Sequence, residues 1–342
     1  MRFAFFGTPR LAAGILDGLL EAGLRPELVV TRADSVSRRG SSRRPSAVAV
    51  RAGEAGLPVI KPETLKQPGL SAQLEALDLD LVILVAYGKI ISPELLALPR
   101  AGWINAHASL LPRWRGAAPL QRAVLAGDAQ TGVSIMRMAA GLDTGPYCAQ
   151  ASVAIGDKYY EELEDALIAA GTDLLVDELP KICAGTVCWQ PQDETSVTYA
   201  DKIGKGELDL SLEAKPELNL RRVRASSDSA PARFRLLAES SNGVGEELVL
   251  RALSAELIDC VELLSPALPQ SQPVRPVAGA IFESYSDLRP GTVLASKDTL
   301  ALVSTEPQRC CAITCLQRPG KRALPAADFL RGLHATEYLQ WR

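Results

Sequence analysis

Residues 79–88 read LDLVILVAYG. From Leu81 to Tyr87 no side chain is charged. A strand with one face in water alternates apolar and polar residues, whereas a strand covered on both faces reads as a continuous apolar run. This run therefore predicts a central strand of a parallel sheet. RFAFF (2–6), ELVVTR (27–32) and GWINAH (102–107) predict further strands. Between the first two lies LAAGILDGLLEAG (11–23), with helical apolar spacing. Thr8 is placed as its N-cap, Pro9 as its first residue and Gly23 as its stop. Strand–helix–strand order with such strands predicts an α/β domain whose sheet is mainly parallel and covered on both faces. Ligands of such sheets sit at the carboxyl ends of the strands. Gly7, Tyr87-Gly88 and Asn105-x-His107 all fall at such ends.

The segment 33–46 is polar, rich in Arg, Ser and Gly, and reads as a loop ending at Pro45-Ser46. AVAVRAGEAG (47–56) is a short helix, and GVSIMRM (132–138) with YCAQASVAI (147–155) a later strand pair. Residues 160–185 carry a strong 3.6-residue period. The polar stretch 189–207 has none and reads as a linker. Beyond about 208, short alternating runs such as ELVLRAL and GTVLASKDTLALVST are separated by turn residues, with a Pro-rich stretch at 265–276. That pattern predicts a small β-barrel. The expected division is 1–189 catalytic, 190–207 linker and 208–342 barrel. At 342 residues the chain is long for one compact domain and comfortable for two.

A net charge of -3 excludes a chain that is polycationic throughout, but the charge is uneven. Arg32, Arg38, Arg39, Arg43 and Arg44 crowd one short segment with a single acid, Asp34. The seven cysteines are odd in number and irregular in spacing, which argues against a disulfide framework. Cys310-Cys311-x3-Cys315 lacks the second pair a zinc site needs. Free thiols and no metal are the expectation. The N-terminal apolar run is too short for a signal peptide, and no uncharged run approaches the roughly 18–20 residues of a membrane span. A cytoplasmic, reduced protein with no membrane partner is expected.

A lone histidine at a strand end is more often structural than catalytic. Three facts shift the balance. The chain has only two histidines. Asn105 precedes His107 by two residues, so both side chains share one face of an extended strand. GLDTG (141–145) adds a carboxylate, Asp143, in a glycine-flanked loop. Imidazole exchanges protons near neutral pH, a carboxylate orients it, and an amide can donate to a developing oxyanion. No G-x-S-x-G elbow is present, which leaves direct acyl transfer to an external nucleophile. A dinucleotide site is disfavoured, because Gly7-Thr8-Pro9-Arg10 replaces G-x-G-x-x-G and Pro9 lacks an N–H.

FFGTP, VILVAYGKI, INAHASLLPRWRGAAPLQRAVLAGD, TGVSIMRMAAGLDTG and PQDETSVTYADKI occur in that order. In order and spacing they resemble the methionyl-tRNA formyltransferases. The first four kinds of motif recur, less fully, in the wider 10-formyltetrahydrofolate-using formyltransferases. The similarity is close to about residue 205 and fades to PGTVLA and AADFLRG afterwards. The resemblance implies a Rossmann-like formyltransferase domain followed by an OB-like barrel that supports tRNA. It implies that Asn105, His107 and Asp143 are catalytic. It implies that Ser109, Leu110, Leu111 and Pro112 are the folate signature, and that Tyr87 and Gly88, with neighbouring backbone, wall the pterin. Arg38, Arg39, Arg43 and Arg44 match the insertion that approaches the tRNA acceptor stem. 10-Formyltetrahydrofolate is then the co-substrate, methionyl initiator tRNA the formyl acceptor, and a monomer is expected.

Some positions depart from the pattern. Arg10-Leu11 stands where an acidic residue and phenylalanine are common after G-T-P. ASSDSAPARF (225–234) replaces NPWPGA, and residues 205–342 hold 17 Lys/Arg against 17 Asp/Glu where a basic domain is usual. Arg113 and Arg115 fit two roles equally: holding the loop over Asp143, or reaching phosphate or a folate glutamate. The competing functions are formyl transfer to a small amine, such as a sugar nucleotide or glycinamide ribonucleotide, and tRNA binding without catalysis.

Overall fold

The computed structural model describes residues 1–36, 43–67, 69–239, 245–260, 275–276, 288–295, 298–332 and 338–342. Two compact units divide the chain. Met1–Ala123, Asp128–Asp157 and Glu161–Lys202 form the first; Val124–Gly127, Lys158–Tyr160 and Ile203–Arg342 form the second.

The first unit is built in the order β1 (Phe3–Gly7), α1 (Arg10–Glu21), β2 (Leu28–Val30), β3 (Ser35–Val36), β4 (Arg43–Arg44), α2 (Ala47–Glu54), β5 (Val59–Ile60), α3 (Leu70–Ala76), β6 (Leu81–Val85), α4 (Pro93–Leu96), β7 (Trp103–His107), β8 (Arg115–Gly116), α5 (Pro119–Ala126), β9 (Gln130–Arg137), β10 (Tyr147–Ala154), α6 (Tyr160–Cys183) and β11 (Tyr199–Ala200). Its main sheet has the strand order β10-β9-β7-β6-β1-β2-β5. The strands from β7 through β5 pair in parallel; β9 pairs antiparallel with β7, and β10 antiparallel with β9. Every residue of β1, β6 and β7 is buried, as the uniform apolar runs of β1 and β6 require; β7 buries Asn105 and His107 as well. The chain winds one way from β1 to β2 and returns on the other side at β6. The switch point, where such sheets take ligands, therefore lies between the ends of β1 and β6. There Gly7 pairs with Val85. A β-carbon on Gly7 would sit 2.6 Å from that of Ala12 and 3.1 Å from the Val85 oxygen, so the close approach needs glycine.

Several local expectations change. α1 begins at Arg10 with Pro9 as its cap residue, and Thr8 makes no cap bond. Its hydroxyl instead donates to the Tyr87 carbonyl at 3.4 Å, tying the ends of β1 and β6. The segment expected as a loop is flanked by a two-residue antiparallel ladder, Ser35↔Arg44 and Val36↔Arg43. Arg10 extends to α6, bonding Glu164 at 2.9 Å and Asp165 at 2.5 Å, so its departure from the common pattern ties two helices together. The polar stretch after α6 is built into this unit as far as Lys202: β11 pairs in parallel with β8.

The second unit contains α7 (Pro216–Arg224), β12 (Arg233–Glu239), β13 (Gly245–Asp259), β14 (Arg275–Pro276), β15 (Val293–Ala295), β16 (Leu300–Leu302), β17 (Arg309–Gln317), β18 (Ala323–Pro325), α8 (Ala326–Arg331) and β19 (Tyr338–Trp341). Its antiparallel sheet runs β14-β15-β16-β17-β13-β12-β19, with β18 on β17. β13 shifts register around Ser254, a bulge that bends the strand. The bend lets the sheet curl: Thr292 bridges Gln340 and Trp341 donates to the Gly291 carbonyl at 2.9 Å, so the sheet closes nearly into a barrel. Gly291, at φ +95°, turns the chain where a side chain would be strained.

The expectation of free thiols throughout is corrected at one pair. Cys260 and Cys310 form a disulfide with a Cα separation of 6.3 Å. The pairing of β13 with β17 brings them together, for Ile258 opposes Cys310 and Cys260 donates its N–H to the Gln308 carbonyl. A sequence separation of 50 gives no hint of that register. Among the described residues no helix is long and apolar enough to cross a membrane.

Candidate active site

β7 ends at the sheet's carboxyl edge, and its pleat turns Asn105 and His107 to one face with Ala106 on the other. Both polar side chains are nearly buried. Asp143 comes from the loop after β9. Asn105 Nδ2 donates to Asp143 Oδ1 at 3.3 Å, and the Gly116 N–H donates to Oδ2 at 2.9 Å. His107 Nδ1 lies 3.7 Å from Oδ2. His107 Nε2 is 2.9 Å from the Trp114 carbonyl, which can only accept, so Nε2 carries the hydrogen in that bond. The three residues singled out from the sequence thus share one carboxylate.

The segment Ser109–Pro112 follows directly and is fastened at each residue that can bond. Ser109 Oγ donates to the Arg113 carbonyl at 2.6 Å. Ser134 Oγ donates to the Ser109 carbonyl at 2.6 Å and accepts from Leu111 N at 3.0 Å. Gln150 Nε2 donates to the Leu111 carbonyl and to Ser134 Oγ, both at 2.8 Å. Leu111 is buried, Leu110 and Pro112 are half-buried, and the Leu111–Pro112 peptide is cis. Ser134 and Gln150 escaped sequence reasoning. Their one signal was a polar residue in each strand of the pair formed by β9 and β10.

Tyr87 lies two residues beyond the end of β6. Its ring is in the core, edge-on to Phe6 with centroids 5.3 Å apart. Burial pushes its phenol up to about 12, against a smaller opposing effect of Arg32. The following residue, Gly88, is exposed at φ +75°.

Both open arginines are committed to protein partners. Arg113 grips Asp128 through Nε at 2.8 Å and Nη2 at 2.7 Å, and its guanidinium lies 4.3 Å over the Trp114 ring. Burial works against the Asp128 charge, yet the bonds from Arg113 and Trp114 outweigh it and hold the carboxyl below the usual carboxylate range. Arg115 is 1% exposed; it donates through Nε to Gln192 at 2.9 Å and through Nη1 and Nη2 to Glu194 at 3.2 and 2.8 Å. The Glu194 bond raises the Arg115 pKa further. Thr198 Oγ1 accepts from Trp114 N at 2.9 Å. Gln192, Glu194 and Thr198 had no assigned part, although PQDETS belonged to the motif set.

Gly145 is required where it stands. A β-carbon there would sit 1.7 Å from the Arg137 carbonyl oxygen, so the Asp143 loop can return to β9 only through glycine. Arg44 is exposed in β4, the backbone of Arg43 is its neighbour, and Arg38 and Arg39 lie outside the described residues. Among the described residues no His, Cys, Asp and Glu side chains gather as a metal site. What the cluster offers is an amide donor and an imidazole, both oriented by one carboxylate at the ligand edge of the sheet. That set suits stabilising negative charge on a carbonyl oxygen while a proton moves.

Residues 1–179 match the family model described as Formyl transferase. The methionyl-tRNA formyltransferase of Methylococcus capsulatus is 39% identical over 331 residues, 96% of each chain. That of Halorhodospira halophila is 40% identical over 332 residues, 97% of this chain and 96% of its own. A crystal structure of WlaRD, a sugar 3N-formyl transferase, covers 94% of this chain and 99% of its own at 14% identity, with a TM-score of 0.57. That likeness is one of fold.

Proposed function

This chain belongs to the formyl transferase family, and from that premise we infer that it moves the formyl group of 10-formyltetrahydrofolate onto the free α-amine of methionyl initiator tRNA for translation initiation. One observation supports this most: relatives carrying that name align along nearly the whole chain, barrel included. A small-amine acceptor has no comparable support.

The residues present fit the folate co-substrate. The backbone of Ser109–Pro112 is pinned by Ser134 and Gln150 beside the catalytic strand end, and the switch-point edge holds the exposed backbone of Gly88. Bound there, the co-substrate supplies an activated formyl carbon. An α-amine has a pKa of about 8, lower beside an ester, so much of it is neutral and nucleophilic at pH 7. Asn105 uses one of its two amide hydrogens on Asp143 and gives the other to the formyl oxygen as negative charge develops. The amine nitrogen bonds to the formyl carbon as the bond from that carbon to N10 of the folate breaks. His107 serves the same oxygen by turning its Nε2–H from the Trp114 carbonyl. Asp143 holds His107 in place and takes up the proton released by the amine through water, and one proton returns through water to N10 as it leaves.

Residues 1–189 carry the chemistry, 208–342 support the tRNA and 190–207 join them. Arg38, Arg39, Arg43 and Arg44 meet the acceptor stem. Because the second domain is charge-neutral, this arginine segment supplies most of the phosphate contact. Arg44→Ala is expected to weaken tRNA binding and to reduce the slope of log affinity against log salt by about 0.7 to 0.9, with the folate KM unchanged. Binding measured across a salt series checks this; an unchanged slope removes Arg44 from the interface. The protein works in the cytoplasm, where aminoacylated tRNA is made, and as a monomer.

The deciding assay supplies 10-formyltetrahydrofolate with methionyl initiator tRNA, elongator tRNA or small amines. Formylation of the initiator tRNA is expected. Formylation of a small amine and of no aminoacyl-tRNA would overturn the inference.

A further inference from the structure

Asp143 is held at φ +51°, the left-handed region that non-glycine side chains rarely adopt. Its neighbours Gly141, Leu142 and Thr144 are exposed, so packing does not fix the loop. Such a conformation persists only where the surroundings over-determine it. The restraint comes from 49 residues away. Gln192 Nε2 donates to the Asp143 carbonyl and to the Gly145 carbonyl, both at 2.7 Å. Gln192 Oε1 accepts from Arg115 Nε at 2.9 Å. The next residue, Gly116, donates its N–H to the Asp143 carboxylate. The bonds close a ring: Asp143 backbone, Gln192, Arg115, Gly116, Asp143 carboxylate. Gly116, at φ +126°, leaves no room for a β-carbon, which would meet the Ala200 oxygen at 2.8 Å. β11 therefore fixes where that N–H points.

We propose that Gln192 is a positioning residue for formyl transfer, setting the Asp143 carboxylate against Asn105 and His107 by clamping the Asp143 and Gly145 carbonyls to Arg115. This rests on the function proposed above. A side-chain amide suits the place because it offers two N–H donors and an accepting oxygen from one planar group. Glutamate has the same shape and still accepts from Arg115, but as a carboxylate it turns an acceptor toward two carbonyl oxygens. The segment 190–200 then belongs to the catalytic apparatus as well as to the connection between domains.

Gln192→Glu is the test. A displaced Asp143 lowers kcat by about 10- to 100-fold, with KM for folate and tRNA within about threefold of the parent. The ratio of variant to parent kcat rises as pH falls, because the protonated carboxyl regains one donor; melting measured at each pH separates this from a change in the amount of folded protein. Gln192→Asn, shorter by one methylene but able to donate, gives a smaller loss and a flat ratio. It carries the same measurements if the Glu variant does not fold. A second readout needs no catalysis. The His107 Cε1–H resonance, identified by its loss in His107→Asn, shifts in the Gln192 variants and stays in place in Gln73→Glu on the exposed side of α3. An unshifted resonance, or a parent-like kcat, overturns the proposal. A shifted resonance in a parent protein that formylates no tRNA upholds the positioning role and rejects the assigned reaction instead.

Discussion

His107→Ala and Asn105→Ala are each expected to lower formylation turnover by about 100- to 1000-fold, the usual effect of losing one donor to a developing oxyanion. The two donors share Asp143: Asn105 through Oδ1 at 3.3 Å, His107 across 3.7 Å from Oδ2. Neither can be replaced by water without loss, because both are nearly buried and a solvent molecule arrives without fixed orientation. The loss should fall on kcat, with KM for either substrate little changed, since the bonds strengthen only as charge builds on the oxygen. Removing a buried side chain also costs stability, so turnover must be compared at a temperature where melting shows each variant folded. Steady-state rates on purified proteins decide the matter. Near-normal turnover by either variant refutes its part in the reaction.

How far such a site is legible depends on how local its signals are. The frame was readable because β1 and β6 are short runs whose burial on both faces is written in consecutive residues. Asn105 and His107 were readable together because a strand's two-residue period puts them on one face. Asp143 stood out through its glycines, and Gly145 does lie where a β-carbon would strike the Arg137 oxygen. What holds these residues was not readable. Gln192 bonds a loop nearly fifty positions earlier, and Arg115 reaches Glu194 across 79 residues. A glutamine in a polar stretch without helical period looks the same whether it is solvated or pinned beneath a catalytic loop. Proximity to a strand end does not reveal the direction of a side chain such as that of Tyr87, whose ring turns into the core against Phe6. The disulfide escaped for the same reason as Gln192, since it follows from sheet register rather than spacing.

Asp143→Asn should be the most damaging single exchange, on the order of 1000-fold in turnover. The substitution is nearly isosteric, and asparagine tolerates the left-handed backbone better than most residues, so the loop should keep its φ of +51°. The chemistry changes instead. The carboxylate accepts Asn105 Nδ2 on one oxygen and the Gly116 N–H on the other, with His107 beside the second. An amide has a single oxygen. If that oxygen takes the Gly116 side, its NH2 group confronts the NH2 of Asn105, donor against donor. If it flips, the NH2 group confronts the Gly116 N–H and His107. Either way at least one partner is lost, and a buried donor left without an acceptor costs about 1–3 kcal/mol, which should also appear as a lower melting temperature. Asp143→Ala is less informative because alanine adds strain at the same φ. If the three side chains act as a unit, the losses will not add: His107→Ala in the Asp143→Asn background should fall within about threefold of the worse single variant. Multiplying losses would mean that Asn105 and His107 work independently of the carboxylate they share, and turnover of Asp143→Asn within tenfold of the parent would leave Asp143 a structural role only.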